Sequence, residues 1–176
     1  MQRKEPWQMT IEELREVAQA GKIDPFGGAE DEIAALCSGA KPVVFDNWPI
    51  PVDRTTFEKI ANAWISRKPS SCPHALFVAP IGDSEGMIGL TIALSKETAT
   101  DTATEIVELP HDTTYDARMG RILGYSEADI AAWYLNMRNH VDAFLRFAGG
   151  RMDKAATMFQ RFCAGLSLEQ AIDIER

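Results

Sequence analysis

The chain is short of histidine (three), of cysteine (three) and of basic residues, with 18 Lys and Arg against 26 Asp and Glu, and it has no long apolar run. Each shortage removes a class of function. A net charge of −8 argues against direct binding of nucleic acid, which takes clustered Lys and Arg, and against docking on anionic lipid. No window approaches the roughly 18 apolar residues that span a bilayer. Met1-Gln2-Arg3-Lys4-Glu5-Pro6-Trp7 has no apolar run behind its charges, so no secretory signal is expected. The cysteines, Cys37, Cys72 and Cys163, are odd in number and far apart. Cys37 and Cys163 fall on apparent helix faces, so buried free thiols and a cytoplasmic location are expected.

What the chain does have is a core. Apolar residues make up 45% of 176 positions, enough to fold rather than stay disordered. That length suits a single α+β domain over residues 1–176 with a helical C-terminal half from 111 to 176. Helix starts are well marked. Thr10 with Glu13, Ser126 with Asp129 and Ser167 with Gln170 have capping-box spacing, and Asp53 is placed to cap another helix. Met9 and Leu14 are set for a hydrophobic staple, with Gly21 at the expected C-terminal cap. Phe57, Ile60, Ala61, Trp64 and Ile65 repeat as one buried helical face.

Strands are read at 42–45, 74–80 and 87–95, the last two joined as a hairpin by Gly82-Asp83-Ser84-Glu85-Gly86. A threonine-rich link, 97–104, leads to Glu105-Ile106-Val107-Glu108-Leu109, whose alternation fits an edge strand blunted by charge. Beyond Pro110 the pattern is helical, with one long helix over 126–148 and two more at 152–164 and 168–175. The expected fold is a small antiparallel sheet of three to four strands flanked by N-terminal helices and a C-terminal helical bundle.

Five patterns bear on chemistry or binding. Gly82-Asp83-Ser84-Glu85-Gly86 matches G-x-S-x-G, and Asp112 and His140 follow in the order of a Ser-Asp-His triad. That motif needs a strand-to-helix turn, whereas Met87 to Leu94 reads as strand. His111, Asp112 and Asp116 sit in one polar turn with Arg118 and Arg121. They could offer nitrogen and oxygen ligands, but no second ligand cluster accompanies them, so no metal is expected. Pairing of the acids with the two arginines accounts for the same residues. Cys72-Pro73-His74 likewise has no second half for a zinc site. Residues 162–172 have the outline of a helix-turn-helix, but a recognition helix should offer Arg, Lys, Asn or Gln. This one reads Glu169, Gln170, Asp173 and Glu175 with Arg176 only at the end, so a helical hairpin packed on the core is expected. Finally, Trp7 and Trp48 stand in proline-flanked segments, either as anchors for a partner or as lids over a core edge.

No catalytic or cofactor motif is complete, so no cofactor is expected. The expectation is an acidic binding or inhibitor protein acting through protein–protein contacts. It has the profile of bacterial immunity proteins and phage-encoded inhibitors of defence systems, by type and not by any shared motif. Its partner would present a basic surface, and a homodimer is left open. Candidate binding residues are Trp7, Trp48, His111, Asp112, Asp116, Arg118 and Arg121. The alternative is a small hydrolase with its site at the His111–Asp116 turn, drawing on Ser84, His111, Asp112 or His140, with or without a metal.

Overall fold

The computed structural model describes residues 4–22, 28–83, 86–136 and 141–173. The elements are α1 (Ile11–Val17), α2 (Ala29–Cys37), β1 (Val44–Val52), α3 (Arg54–Ile65), β2 (Phe77–Asp83), β3 (Gly86–Ala93) and α4 (Lys96–Glu108). They continue with α5 (Tyr115–Ile122), α6 (Glu127–Leu135), α7 (Val141–Phe147), α8 (Met152–Cys163) and α9 (Leu168–Ile172). The fold is α+β with one antiparallel three-stranded sheet among the described residues. The chain divides into a helical unit (1–25, 110–121 and 125–176) and a sheet unit (26–109 and 122–124).

In the sheet unit the strand order is β1-β3-β2, so β3 is central and both neighbours are edges. Successive residues of β3 point to opposite faces. Leu90 and Ile92 join Ile33 and Leu36 of α2 and Ala61 of α3 in one core. Thr91, between them, donates its hydroxyl to the Ala99 carbonyl of α4 at 2.7 Å. The sheet is thus covered by α2 and α3 on one face and α4 on the other. Pro80, on edge strand β2, and Pro49 and Pro51, in the irregular part of edge strand β1, cost no central ladder bond. Asp53 caps α3 as expected, accepting from the Thr56 N–H at 2.7 Å. Gly39 ends α2 with φ 76°, a conformation that favours glycine.

Several expectations fail here. Residues 97–104 are no linker and 105–109 no strand: 97–108 lie in α4 and Leu109 is its extended C-cap. Ser95 caps that helix, accepting from the Thr98 N–H at 3.0 Å, and Ala99, Thr102, Ala103 and Ile106 form its buried face. Burial on one helical face outweighs the strand preference of β-branched Thr, Ile and Val. Trp48 lies within β1, not in a loop. Cys37 and Cys72 are joined in a disulfide, and Cys163 is free but exposed, so none of the three is a buried free thiol.

The helical unit has its own core, in which Leu14, Ile130, Tyr134, Phe144, Met158 and Phe162 are buried. α1 and the 3-10 turn that follows it, Ala18–Ala20, lie along α6; α7 packs on α8, and α9 returns against the turn at Pro6–Gln8. The capping boxes at Thr10, Ser126 and Ser167 are all present. Gly21 is extended rather than a left-handed cap. It is needed for close approach, because a Cβ there would collide with the Ala128 carbonyl. The single helix expected over 126–148 is not formed: α6 ends at Leu135, where Asn136 leaves helical geometry (ψ 77°), and helix resumes as α7 at Val141.

Candidate functional site

The turn from Pro110 to Thr114 feeds α5 and shapes a small depression in the helical unit. His111, Asp112, Thr113, Tyr115 and Asp116 line it, with Arg146 and Phe147 from α7 and Leu168 from α9. Its volume is ≈ 10 Å³, about enough for one water molecule. The turn is held from below by Tyr134, whose hydroxyl donates to the Thr113 carbonyl at 2.9 Å. Burial pushes the Tyr134 phenol far up, so it stays neutral and serves as a donor. The His111 ring stacks on Tyr115 with 4.9 Å between centroids.

Asp112 is already committed. Its Oδ1 accepts from the Thr114 hydroxyl at 2.6 Å and the Thr114 N–H at 2.8 Å. Those bonds, the hydroxyl first, and the nearby charge of Arg118 hold its carboxyl below the usual range. A carboxylate so stabilised is a weak general base. Arg121 does not pair with the acids of the turn. Its Nε and Nη2 donate to Glu127 at 2.8 and 3.0 Å, and Nη2 also donates to Glu5 at 2.6 Å. Arg121 therefore fixes the N-terminal segment to α6. Arg118 is exposed.

The start of α6 is equally tied. Asp129 Oδ2 accepts from the Ser126 hydroxyl and N–H, and Oδ1 accepts from the Lys22 N–H at 2.8 Å. Burial raises the Asp129 pKa, but these donors outweigh it and the net shift is down.

Of the other candidates, Trp7 is half-buried and packs against the helical core. Trp48 is half-buried, packs against the sheet unit's core and donates its indole N–H to the Met87 carbonyl at 2.7 Å. Ser84 and His140 lie outside the described residues. The chain after Ser84 is strand β3, paired with β2 down to Asp83 and Gly86, and a nucleophile elbow requires a helix there. Among the described residues no three His, Cys, Asp or Glu side chains gather to hold a metal. No described helix is long and apolar enough to cross a membrane.

Sequence reasoning missed two features because it misread α4 and could not pair distant residues. As a helix, α4 lines up Glu97, Asp101, Glu105 and Glu108 on one exposed side, opposite its buried face. The i, i+4, i+8, i+11 spacing of these acids is a helical one, hidden by the strand preference of the residues between them. The second is an ion pair in the sheet unit. Lys41 Nζ lies 3.1 Å from Glu32 Oε1, with the lysine side chain 1% and the glutamate 15% exposed. No protein family, curated protein or solved structure matches this chain.

Proposed function

We propose that this chain is an acidic, non-enzymatic binding protein of the cytoplasm that covers a basic face of a protein partner, in the manner of immunity proteins or phage-encoded inhibitors of defence systems. The observation that carries the reading is the row of acids on α4. Glu97, Asp101, Glu105 and Glu108 make no ion pair or side-chain hydrogen bond among the described residues. Like charges three and four residues apart each cost a helix about 0.2–0.5 kcal/mol. A basic partner would relieve that repulsion, and the row would steer its approach.

The test is a pull-down from the native host with mass spectrometry, run with the wild-type chain and with Glu97→Gln/Asp101→Asn/Glu105→Gln/Glu108→Gln. The expected result is a stoichiometric basic, nucleic-acid-handling protein that is lost with the variant and at raised salt. Capture of the same proteins by both chains overturns the reading. A second reading, a small hydrolase at the His111–Asp116 turn, is favoured by one observation: the depression gathers a histidine, two carboxylates and Arg146. It predicts that His111→Ala and Asp112→Ala abolish a hydrolytic activity while partner capture is unchanged.

A further inference from the structure

We propose that the Cys37–Cys72 disulfide is a redox latch: oxidised, it pins the connection between α3 and β2 to the end of α2; reduced, it releases that connection. Cys37 is the last residue of α2, and its Cα lies 5.7 Å from that of Cys72, a separation that a disulfide spans without moving the backbone. From Ser66 to Ala75, Cys72 is the one buried residue. It is also the only side chain from 68 to 75 joined by a bond, an ion pair or a ring contact to any other part of the described chain. Around it, the Cys72 N–H donates to the Pro69 carbonyl at 2.9 Å, closing a turn, and Pro69 and Pro73 stiffen both sides. The segment is anchored where α3 ends and again at Leu76, which packs on the sheet core. Between those points the disulfide is the one side-chain bond that ties it to the rest of the described chain.

The exchange uses ordinary thiol chemistry. One thiolate of a dithiol reductant attacks Sγ of Cys37, which is only half-buried, and forms a mixed disulfide. Cys72 leaves as a thiolate and takes up a proton. The reductant's second thiol then displaces Cys37, so two electrons pass to the chain and the reductant becomes the disulfide. A small disulfide such as oxidised glutathione drives the reverse. In the cytoplasm, where thiols are kept reduced and the disulfides that do form are transient or redox-sensing, the latch would rest open and close under oxidative load.

The full chain with Cys163→Ser, which removes the exposed third thiol, is compared after oxidised glutathione and after dithiothreitol. Maleimide labelling of the denatured chain should tag neither remaining cysteine in the first state and both in the second. Trypsin should cut after Arg67 roughly tenfold faster in the reduced state, as expected of a locally opened segment. The thermal midpoint of the sheet unit should fall by about 10 °C. Cys37→Ala/Cys72→Ala should match the reduced chain under both conditions, and if that variant does not fold, the two states of the wild-type pair decide. The proposal is overturned if both cysteines label after oxidation, if cleavage after Arg67 is equally fast in the two states, or if reduction opens every tryptic site alike.

Discussion

The sheet unit carries 6 Lys and Arg against 12 Asp and Glu, whereas the helical unit carries 12 against 14. Most of the net charge therefore belongs to one unit. The two are also held differently. The sheet unit combines aliphatic packing with a disulfide and a buried ion pair. The helical unit relies on aromatic packing, with Phe144 against Phe159 and Phe162, and on side-chain caps. The contrast teaches that the more charged unit is the one with a disulfide and a buried ion pair, whereas the Arg121 pairs of the helical unit lie at its surface. When closed, a disulfide across a loop of this length, sequence separation 35, removes about 3–4 kcal/mol of unfolded-state freedom, so oxidation would stabilise the more highly charged unit.

Removing one end of the ion pair should separate the units most clearly. Lys41→Met strands the Glu32 carboxylate, whose Oε2 already has no hydrogen-bond partner. Breaking a buried pair in this way costs about 3–5 kcal/mol, and the double change Glu32→Leu/Lys41→Met should recover most of it. Hydrogen exchange should show the loss in the sheet unit alone. Equal loosening of both units would break the comparison.

A smaller effect is expected from Tyr134→Phe. It deletes the donor to the Thr113 carbonyl and should cost about 1 kcal/mol in chemical denaturation, with faster exchange at residues 111–116 in the helical unit. No change in either measurement would mean that the turn is held by its own bonds at Asp112 and Thr114.

The smallest effect is in pH. Glu13, Asp112, Asp129 and Asp153 of the helical unit have lowered pKa values, against Asp53 of the sheet unit. A carboxylate with a depressed folded pKa contributes stability above its unfolded value and loses it as pH falls through the folded one. Below about pH 4 the helical unit should therefore weaken first. Exchange measured from pH 5 to 2.5 checks the order. Asp129→Asn removes the titrating group, though its single amide oxygen can serve only one of the two donor sets at Ser126 and Lys22. It should lower stability near neutral pH and flatten the helical unit's acid slope.

Much of the fold was readable in the chain because local signals agreed with it. Thr10, Asp53, Ser126 and Ser167 announced four helix starts, and the hairpin was marked by Gly82 and Gly86. The failures came where tertiary contacts overruled local preference. In α4, Thr102, Ile106 and Val107 favour strand, and only Thr91 and the sheet behind it make that segment a helix. At Asn136 the apolar stripe runs on while the backbone turns away. The candidate site was half legible: the polar turn was evident, but Arg146, Phe147 and Leu168 are brought to it by α7 and α9, which no spacing reveals. Cys37 and Cys72 became a pair only once α2 and the α3–β2 connection were placed.

The core of the helical unit joins Met9 and Leu14 to Leu168 and Ala171, residues from opposite ends of the sequence. During synthesis the sheet unit, nearly all of it on 26–109, is complete while the partners of α1 are still unmade. Trp7, Met9 and Leu14 therefore wait until α6 is made, and their cover is completed only with α9. Closing so long a loop adds little to the equilibrium cost but slows folding and lengthens exposure. The order of assembly is thus set by topology: the more charged unit first, the near-neutral one after it, with α1 covered only once α6 and α9 have followed.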